Sequence, residues 1–208
     1  IYSNDGGLSA ARRAARTERL TAHFLNNDIR QISYRAEFDA VVTLFSAFGR
    51  LADERDDLKS LEAVRCGLKP GGKLLMDVLN REWLLRHFEP HSWEPAEDGC
   101  GGVLLDKIVF NFETGRLDDH RTIVAADGTR TPVFVSQRLY ALTVLKAMLA
   151  RCGLRYLCAY GGFDGAPYGM DSQRMIVLAE RAVEARARLA KDLGLERAIK
   201  IKGRRRRR

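Results

Sequence analysis

The 208-residue sequence has no apolar run of the length that a membrane-spanning helix needs, which is about 20 residues. Its first residues are polar and glycine-rich, unlike the basic stretch and apolar core of a signal peptide. Hydrophobic residues nevertheless make up 46% of the chain, which is enough for one domain with a buried core. We therefore expect a cytoplasmic protein with no membrane partner.

Cysteine and histidine are scarce and are not spaced for metal binding. The sequence has no CxxC pair and no zinc-ligand spacing among its four cysteines, which are Cys66, Cys100, Cys152 and Cys158. His87 and His91 are four residues apart, but Pro90 lies between them and prevents a continuous helical face. Because no third ligand completes a site there, we expect reduced thiols and no metal ion.

Positive charge is concentrated at one end of the chain. The net charge is +8, and the seven basic residues from Lys200 to Arg208 supply most of it. Without these seven charges, the rest of the chain has a net charge of +1 and so has no electrostatic reason to bind a polyanion. Nucleic-acid binding is therefore a hypothesis about the arginine tail alone. Its alternative is a solvated tail without a partner.

The most informative stretch runs from Phe38 to Asn80 and predicts strand, helix and strand in that order. The apolar run that ends at Leu44 has the length of a strand. Acids crowd the start of the next segment, as at a helix N-terminus, and apolar residues then recur at helical spacing: Leu58, Leu61, Val64 and Leu68. The turn 69–72, Lys-Pro-Gly-Gly, ends the helix. Lys73–Leu79 is apolar apart from Asp77, as a buried parallel strand is.

This stretch also carries a resemblance to a known family. FDAVVTLFSAFG followed by LKPGGKLLMDVLN resembles the central unit of class I S-adenosylmethionine-dependent methyltransferases, and the similarity runs from about Leu20 to Ala182. The resemblance implies an α/β fold with a Rossmann-like, mostly parallel sheet and a C-terminal antiparallel hairpin. It makes Thr21–Leu25 the third strand of that sheet. The implied cofactor is S-adenosyl-L-methionine and the implied activity is methyl transfer.

The region after Asn80 changes character. Arg81–His87 predicts a short helix that Asn80 caps. Period-2 segments separated by turn signals follow, and Asp127-Gly128 between two of them is a strong hairpin signal. We expect an antiparallel β meander over 93–140, inserted into a partial methyltransferase domain spanning 1–182. The pattern predicts a charged helix that begins at Glu180. We expect the region 183–208 to contain most of this helix, followed by a disordered Arg-rich tail.

Two segments are candidates for cofactor binding, because ligands of open α/β sheets lie at the carboxyl ends of the strands. The resembled family has an acidic residue at this point that accepts a hydrogen bond from the adenine amino group. The resemblance gives this role to Asp28. Asn27 lies beside it, and Ile29 packs on the ring. The alternative is a simple Asx turn. The resemblance also places the loop that contains Leu44, Phe45, Ser46 and Phe48 against the methionine part and the substrate pocket. The alternative for its two phenylalanines is ordinary core packing.

Four residues are candidates for contact with a small-molecule acceptor. Asn80 follows the second strand of the central unit, where an acceptor would lie; its alternative role is helix capping. His120, Arg138 and Tyr140 are polar candidates in the insert, which resembles the substrate-covering sheets of small-molecule N- and O-methyltransferases. Their alternative is structural or solvent-facing polarity. No residue stands out as a catalytic base.

One expected part of the family pattern is missing. No GxGxG loop occurs before Phe38, where such methyltransferases receive the cofactor. We expect about one βα unit, on the order of 30 residues, to be absent at the amino end. The sequence thus predicts a methyltransferase for a nitrogen or oxygen nucleophile whose present chain alone binds the cofactor weakly or not at all. The alternatives are a catalytically inactive fragment and a nucleic-acid-binding protein acting through its tail.

Overall fold

The computed structural model describes residues 5–96 and 101–183, which form a mixed α/β structure with two four-stranded sheets. The helices and strands are, in chain order, α1 (Asp5–Thr17), β1 (Phe38–Thr43), α2 (Glu54–Gly67), β2 (Leu68–Leu79), α3 (Arg81–Arg86), β3 (His91–Pro95), β4 (Val103–Asn111), β5 (Arg116–Val124), β6 (Arg130–Arg138), α4 (Leu142–Arg151), β7 (Leu154–Tyr160) and β8 (Arg174–Arg181). The predicted α/β class is confirmed.

The first sheet has the strand order β1-β2-β8-β7. β1 and β2 are parallel, as predicted, and α2 connects them. β8 runs antiparallel to both β2 and β7, so the last two strands form a hairpin at one edge. The carboxyl ends of β1 and β2 therefore point to the same edge of the sheet, where ligands of such folds bind.

Helix α2 begins where the acidic cluster predicted a helix start. The side chain of Asp53 caps it by accepting a hydrogen bond from the Asp56 amide at 2.9 Å. Acids in the first turn interact favourably with the helix dipole. Its buried face joins the main core through Leu58, Leu61 and Val64, which are at most 7% exposed.

The predicted turn between α2 and the next strand has a different form from the one expected. β2 begins at Leu68, directly after the helix, and pairs with Phe38 before the register shifts. Pairing resumes between Ala40 and Lys73, so residues 69–72 form a bulge inside the strand. Gly71 has a φ of 80° there, a conformation that glycine adopts without steric cost.

The second sheet is an antiparallel meander of β3, β4, β5 and β6. It contains the strands predicted from the period-2 pattern, and Gly128, with a φ of 84°, lies in the tight turn between β5 and β6. The structure adds β3, which the sequence pattern did not separate. The end of β6 lies against the loop that follows β1, since the amide of Arg138 donates to the carbonyl of Gly49 at 2.7 Å.

The predicted third strand at Thr21–Leu25 is wrong. These residues form no strand, and Leu25 is 39% exposed. A strand needs a paired neighbour, and within 5–96 and 101–183 β1 pairs with β2 alone.

The helix expected over Ser9–Leu20 is present as α1, which starts four residues earlier.

The chain is extended where the predicted C-terminal helix was expected to begin. Glu180 and Arg181 belong to β8, because they pair with β2 and β7 and continue the sheet. The rest of that predicted helix and the arginine tail lie outside the described residues. None of the described helices is long and apolar enough to cross a membrane.

Candidate functional site

The loop after β1 has an unusual backbone. Phe45 and Ser46 have φ values of 54° and 52°, in the left-handed region that costs a residue with a side chain roughly 1–2 kcal/mol. This conformation leaves the Phe45 side chain 77% exposed at the carboxyl edge of the sheet. Such strain persists only where surrounding contacts impose it, and it is frequent at ligand-binding sites.

Asp77 imposes this conformation from the neighbouring strand β2. Its carboxylate accepts a hydrogen bond from the Phe45 amide at 2.8 Å, and its carbonyl accepts one from the Ser46 amide at 3.1 Å. Asp77 is fully buried, and both of its carboxylate oxygens also accept hydrogen bonds from the guanidinium of Arg174. The buried charge is thus paired, and the loop is fixed at the end of β1.

Gln137 attaches the same loop to the meander. Its amide nitrogen donates to the carbonyls of Ser46 and Phe48, each at 3.1 Å. Phe48 turns inward, is 8% exposed and contacts the ring of Tyr140 at 5.5 Å between centroids. The meander and the main sheet therefore share one loop, whose backbone is held from both sides.

The segment 27–29 is held by local contacts. Asp28 caps a single 3₁₀ turn by accepting a hydrogen bond from the Arg30 amide at 2.8 Å. The hydrogen bonds from the Arg30 side chain lower the pKa of the Asp28 carboxyl to about 2. The same guanidinium pairs with Asp56 at the start of α2. The carboxylate predicted to receive the adenine amino group is thus already engaged, although it is still 28% exposed. Asn27 accepts a hydrogen bond from the Asp28 amide.

The two predicted cofactor segments meet at a cavity of about 90 Å³ on the α2 side of the sheet. Ile29 from the first segment and Phe48 from the second both line it. The remaining lining is mostly apolar, with Thr43, Asp57 and Ser60 as its polar members; the apolar members are Ala47, Leu51, Leu61, Val64, Leu74 and Met76. This lining therefore suits a mainly apolar group more than a phosphate or a sugar. Leu44 and Phe45 are outside this lining and exposed beside it.

Asp57 is a buried acid that links α2 to the meander. Its Oδ2 accepts a 2.7 Å hydrogen bond from the hydroxyl of Tyr140 and lies 3.7 Å from Nη1 of Arg138. Burial raises the pKa of Asp57, and the bond from Tyr140 and the charge of Arg138 offset part of that rise. Burial, followed by the bond to Asp57, also raises the pKa of Tyr140. Tyr140 is therefore a neutral donor and does not act as a base at neutral pH.

The four predicted substrate residues do not form one cluster. Arg138 and Tyr140 meet at Asp57, as described above. His120 is exposed on β5 and packs against Phe134 at 4.8 Å. Phe134 lies four residues before Arg138 on β6, roughly 13 Å along the strand. His120, which packs beside Phe134, is therefore separate from the pair at Asp57.

Asn80 is fully buried and uses its whole side chain within the protein. Its Oδ1 accepts from the amides of Glu82 and Trp83, which caps α3 as the alternative interpretation predicted. Its Nδ2 donates to the carbonyls of Gly169 and Ser172 at 2.9 and 2.7 Å. This pairing supports a structural role and leaves the side chain no free group for a substrate.

Sequence reasoning missed the residues that organise the site. In the sequence, Asp57 is one of the acids whose crowding predicts a helix start, and no local pattern points to Gln137. Asp77 carried a usable signal, because a single acid inside an apolar strand predicts a buried, paired charge. Within the described residues, no cluster of histidine, cysteine and acidic side chains could hold a metal ion.

No protein-family model matches the chain, and no curated protein matches it. Solved structures do match. The CcbJ methyltransferase from Streptomyces caelestis has a TM-score of 0.75 at 16% identity, with 87% of this chain and 73% of that chain covered.

Two further structures are similar. The first is CalS10 bound to S-adenosylmethionine, an amino pentose methyltransferase from Micromonospora echinaspora, with a TM-score of 0.58, 20% identity and coverage of 84% and 72% of the two chains. The second is the sugar N-methyltransferase KedS8 from a Streptoalloteichus species, with a TM-score of 0.60, 22% identity and coverage of 85% and 69%. At these identities the likeness establishes the fold. The chain therefore has the fold of the S-adenosylmethionine-dependent methyltransferases.

Proposed function

We propose that this protein is an S-adenosylmethionine-dependent methyltransferase that acts on a nitrogen or oxygen nucleophile of a small molecule. The observation that carries the proposal is the meeting of the two predicted cofactor segments. Ile29 and Phe48, which are far apart in the chain, line one cavity at the carboxyl end of β1. Neighbours of the same fold include a sugar N-methyltransferase and an amino pentose methyltransferase, which supports a small acceptor.

The residues present fit the purine end of the cofactor. The cavity combines apolar walls with one carboxylate, Asp57, and a carboxylate accepts hydrogen bonds from N–H donors. Ile29 and Phe48 would pack against the ring, while Asp28 would lie at the rim. When bound, S-adenosylmethionine supplies a methyl group that its sulfonium already activates for transfer.

The protein's own part in the reaction is positioning. Placing a nucleophile in line with a reactive carbon contributes several kcal/mol, since the entropy of encounter is lost on binding. Here Asp77 and Gln137 fix the loop 44–48, and the meander lies against it. Phe45 and Leu44, exposed at that edge, would exclude water from the transferring group. An acceptor amine would attack with its lone pair and release its proton afterwards.

Isothermal titration with S-adenosylmethionine tests the proposal. We expect weak but saturable binding, with a dissociation constant near 1 mM or about −4 kcal/mol, because the sequence has no glycine-rich loop before β1. Ile29→Asp should abolish it by placing a charge in the apolar wall. The matched control Ile32→Asp, just after the 3₁₀ turn and outside the cavity lining, should preserve it.

Two results would depart from the expected affinity. Absence of binding at about 10 mM, ten times that constant, would contradict the cofactor site. Micromolar binding, worth about −8 kcal/mol, would support the function and show that the glycine-rich loop is unnecessary.

A further inference from the structure

A second concave site lies at the carboxyl end of β2, away from the α2 cavity. It is a groove of about 330 Å³ between the start of α3, the start of α4 and the loop before β8. Glu82, Thr143 and Tyr168 give it polar groups, and Leu142 and Met170 are among its apolar walls. We call it the Glu82 groove.

The framework of the Glu82 groove is fixed by hydrogen bonds. Asn80 joins its two sides, because it caps α3 and holds the carbonyl of Gly169 at 2.9 Å. The hydroxyl of Tyr168 lies 3.2 Å from Oδ1 of Asn80 and 3.2 Å from Oε2 of Glu82. The Glu82 carboxylate is therefore held in place before any ligand arrives, which reduces the entropy lost on binding.

Tyr168 acts as a neutral donor in this arrangement. Burial, followed by the charge of Glu82, raises the pKa of Tyr168 to about 12. The hydroxyl therefore keeps its proton at neutral pH and can donate it to the Glu82 carboxylate at 3.2 Å. The groove thus presents a single negative charge.

The cations closest in sequence to Glu82 lie against other groups. The guanidinium of Arg81 lies 5.9 Å above the ring of Phe110, and Arg86 pairs with Asp171 at 2.9 Å. Among the described residues, Glu82 takes part in no ion pair within 4.0 Å. A preformed, half-buried carboxylate without a cationic partner, set between apolar walls, is suited to an organic cation.

We propose that the Glu82 groove binds a small organic amine, with its ammonium paired to Glu82 and its carbons against Leu142 and Met170. β1 and β2 end at the same edge of the sheet, where ligands of such folds bind, and we therefore assign this amine as the methyl acceptor, an assignment that rests on the proposed function. Amine binding itself does not depend on that function. A charge-assisted pair is also the stronger class of hydrogen bond, so the groove prefers an amine over the corresponding alcohol.

A matched pair of sugars tests the preference. Glucosamine and glucose differ only by an ammonium in place of a hydroxyl, and each is titrated into the full chain while amide chemical shifts are followed. We expect glucosamine to bind at least about tenfold more tightly, equivalent to 1.4 kcal/mol, and to shift the amides of Glu82 and Gly169. Glu82→Gln should remove the preference. Glu113→Gln, an exposed acid in the turn after β4, should retain it.

Other outcomes would overturn the inference. They are equal affinity for both sugars, a preference that survives in Glu82→Gln, or no glucosamine binding at about 10 mM. Tyr168→Phe provides a second check, since loss of the hydroxyl should weaken glucosamine binding several-fold without affecting glucose.

Parallel titration with S-adenosylmethionine separates this inference from the proposed function. Selective, Glu82-dependent amine binding without cofactor binding would support the groove and refute methyl transfer. Cofactor binding without amine selectivity would support methyl transfer and refute the groove.

Discussion

Replacing Asp77 by alanine tests whether one buried acid holds the strained loop of the site. The carboxylate is fully buried, pairs with Arg174 through both oxygens and accepts the Phe45 amide. Breaking a buried pair by removing one partner costs about 3–5 kcal/mol. The side chain of Arg174 is 30% exposed and can be hydrated once it is unpaired, so we expect the lower end, about 3 kcal/mol.

The control is Asp39→Ala. Asp39 also forms an ion pair, with Lys69 at 2.8 Å, but its side chain is 85% exposed. Exposed pairs contribute about 0–1 kcal/mol, so this variant should have nearly the stability of the unmodified protein. The two variants remove the same chemical group, and the difference between them isolates the contribution of burial.

Urea unfolding followed by circular dichroism measures both free energies, and amide chemical shifts locate the change. Asp77→Ala should move the amides of Phe45 and Ser46 more than any others, because they lose the contacts that impose a positive φ. A cost within 1 kcal/mol of that of Asp39→Ala, or unmoved Phe45 and Ser46 amides, would refute the reasoning.

Two further substitutions probe the join between the sheets. Tyr140→Phe removes a hydrogen bond to the buried Asp57 and should cost about 2 kcal/mol at pH 7. Because the pKa of Asp57 is raised and would rise further without Tyr140, the cost should shrink as the pH falls and Asp57 becomes protonated. A cost that is the same at pH 4 and pH 7 would contradict this. Gly49→Ala places a Cβ 2.3 Å from the carbonyl oxygen of Arg138 at a φ of 90° and should cost more than 3 kcal/mol. Its control Gly128→Ala, at a φ of 84° with no atom within 4 Å, should cost about 1–2 kcal/mol, and equal costs in thermal unfolding would exclude a clash.

Local signals in the sequence were sufficient for the elements around the site. The crowded acids predicted the start of α2. Asp53 caps the helix by accepting a hydrogen bond from the amide of Asp56, three residues later. Asp127-Gly128 predicted the turn between β5 and β6. Asn80 as a helix cap was likewise foreseen as an alternative. Each of these features depends on residues a few positions apart, so the chain specifies them before it folds.

The wrong predictions concern segments whose structure depends on pairing with residues far away in the sequence. Thr21–Leu25 has the composition of a strand, but a strand forms only where another strand can pair with it. The opposite error occurs at Glu180, a charged residue that continues β8 because Lys73 on β2 and Arg155 on β7 pair with its carboxylate. Intrinsic propensity decided neither case.

The site itself was decided by tertiary structure. Tyr140 reaches Asp57 across 83 positions of sequence, and Arg174 reaches Asp77 across 97. The sequence by itself placed the acids at the start of α2 and Asp77 inside a strand, and it identified the edge where ligands lie. The partner of Asp77 depends on the strand order β1-β2-β8-β7, because that order brings Arg174 on β8 beside β2 and leaves the Asp77 carboxylate fully buried.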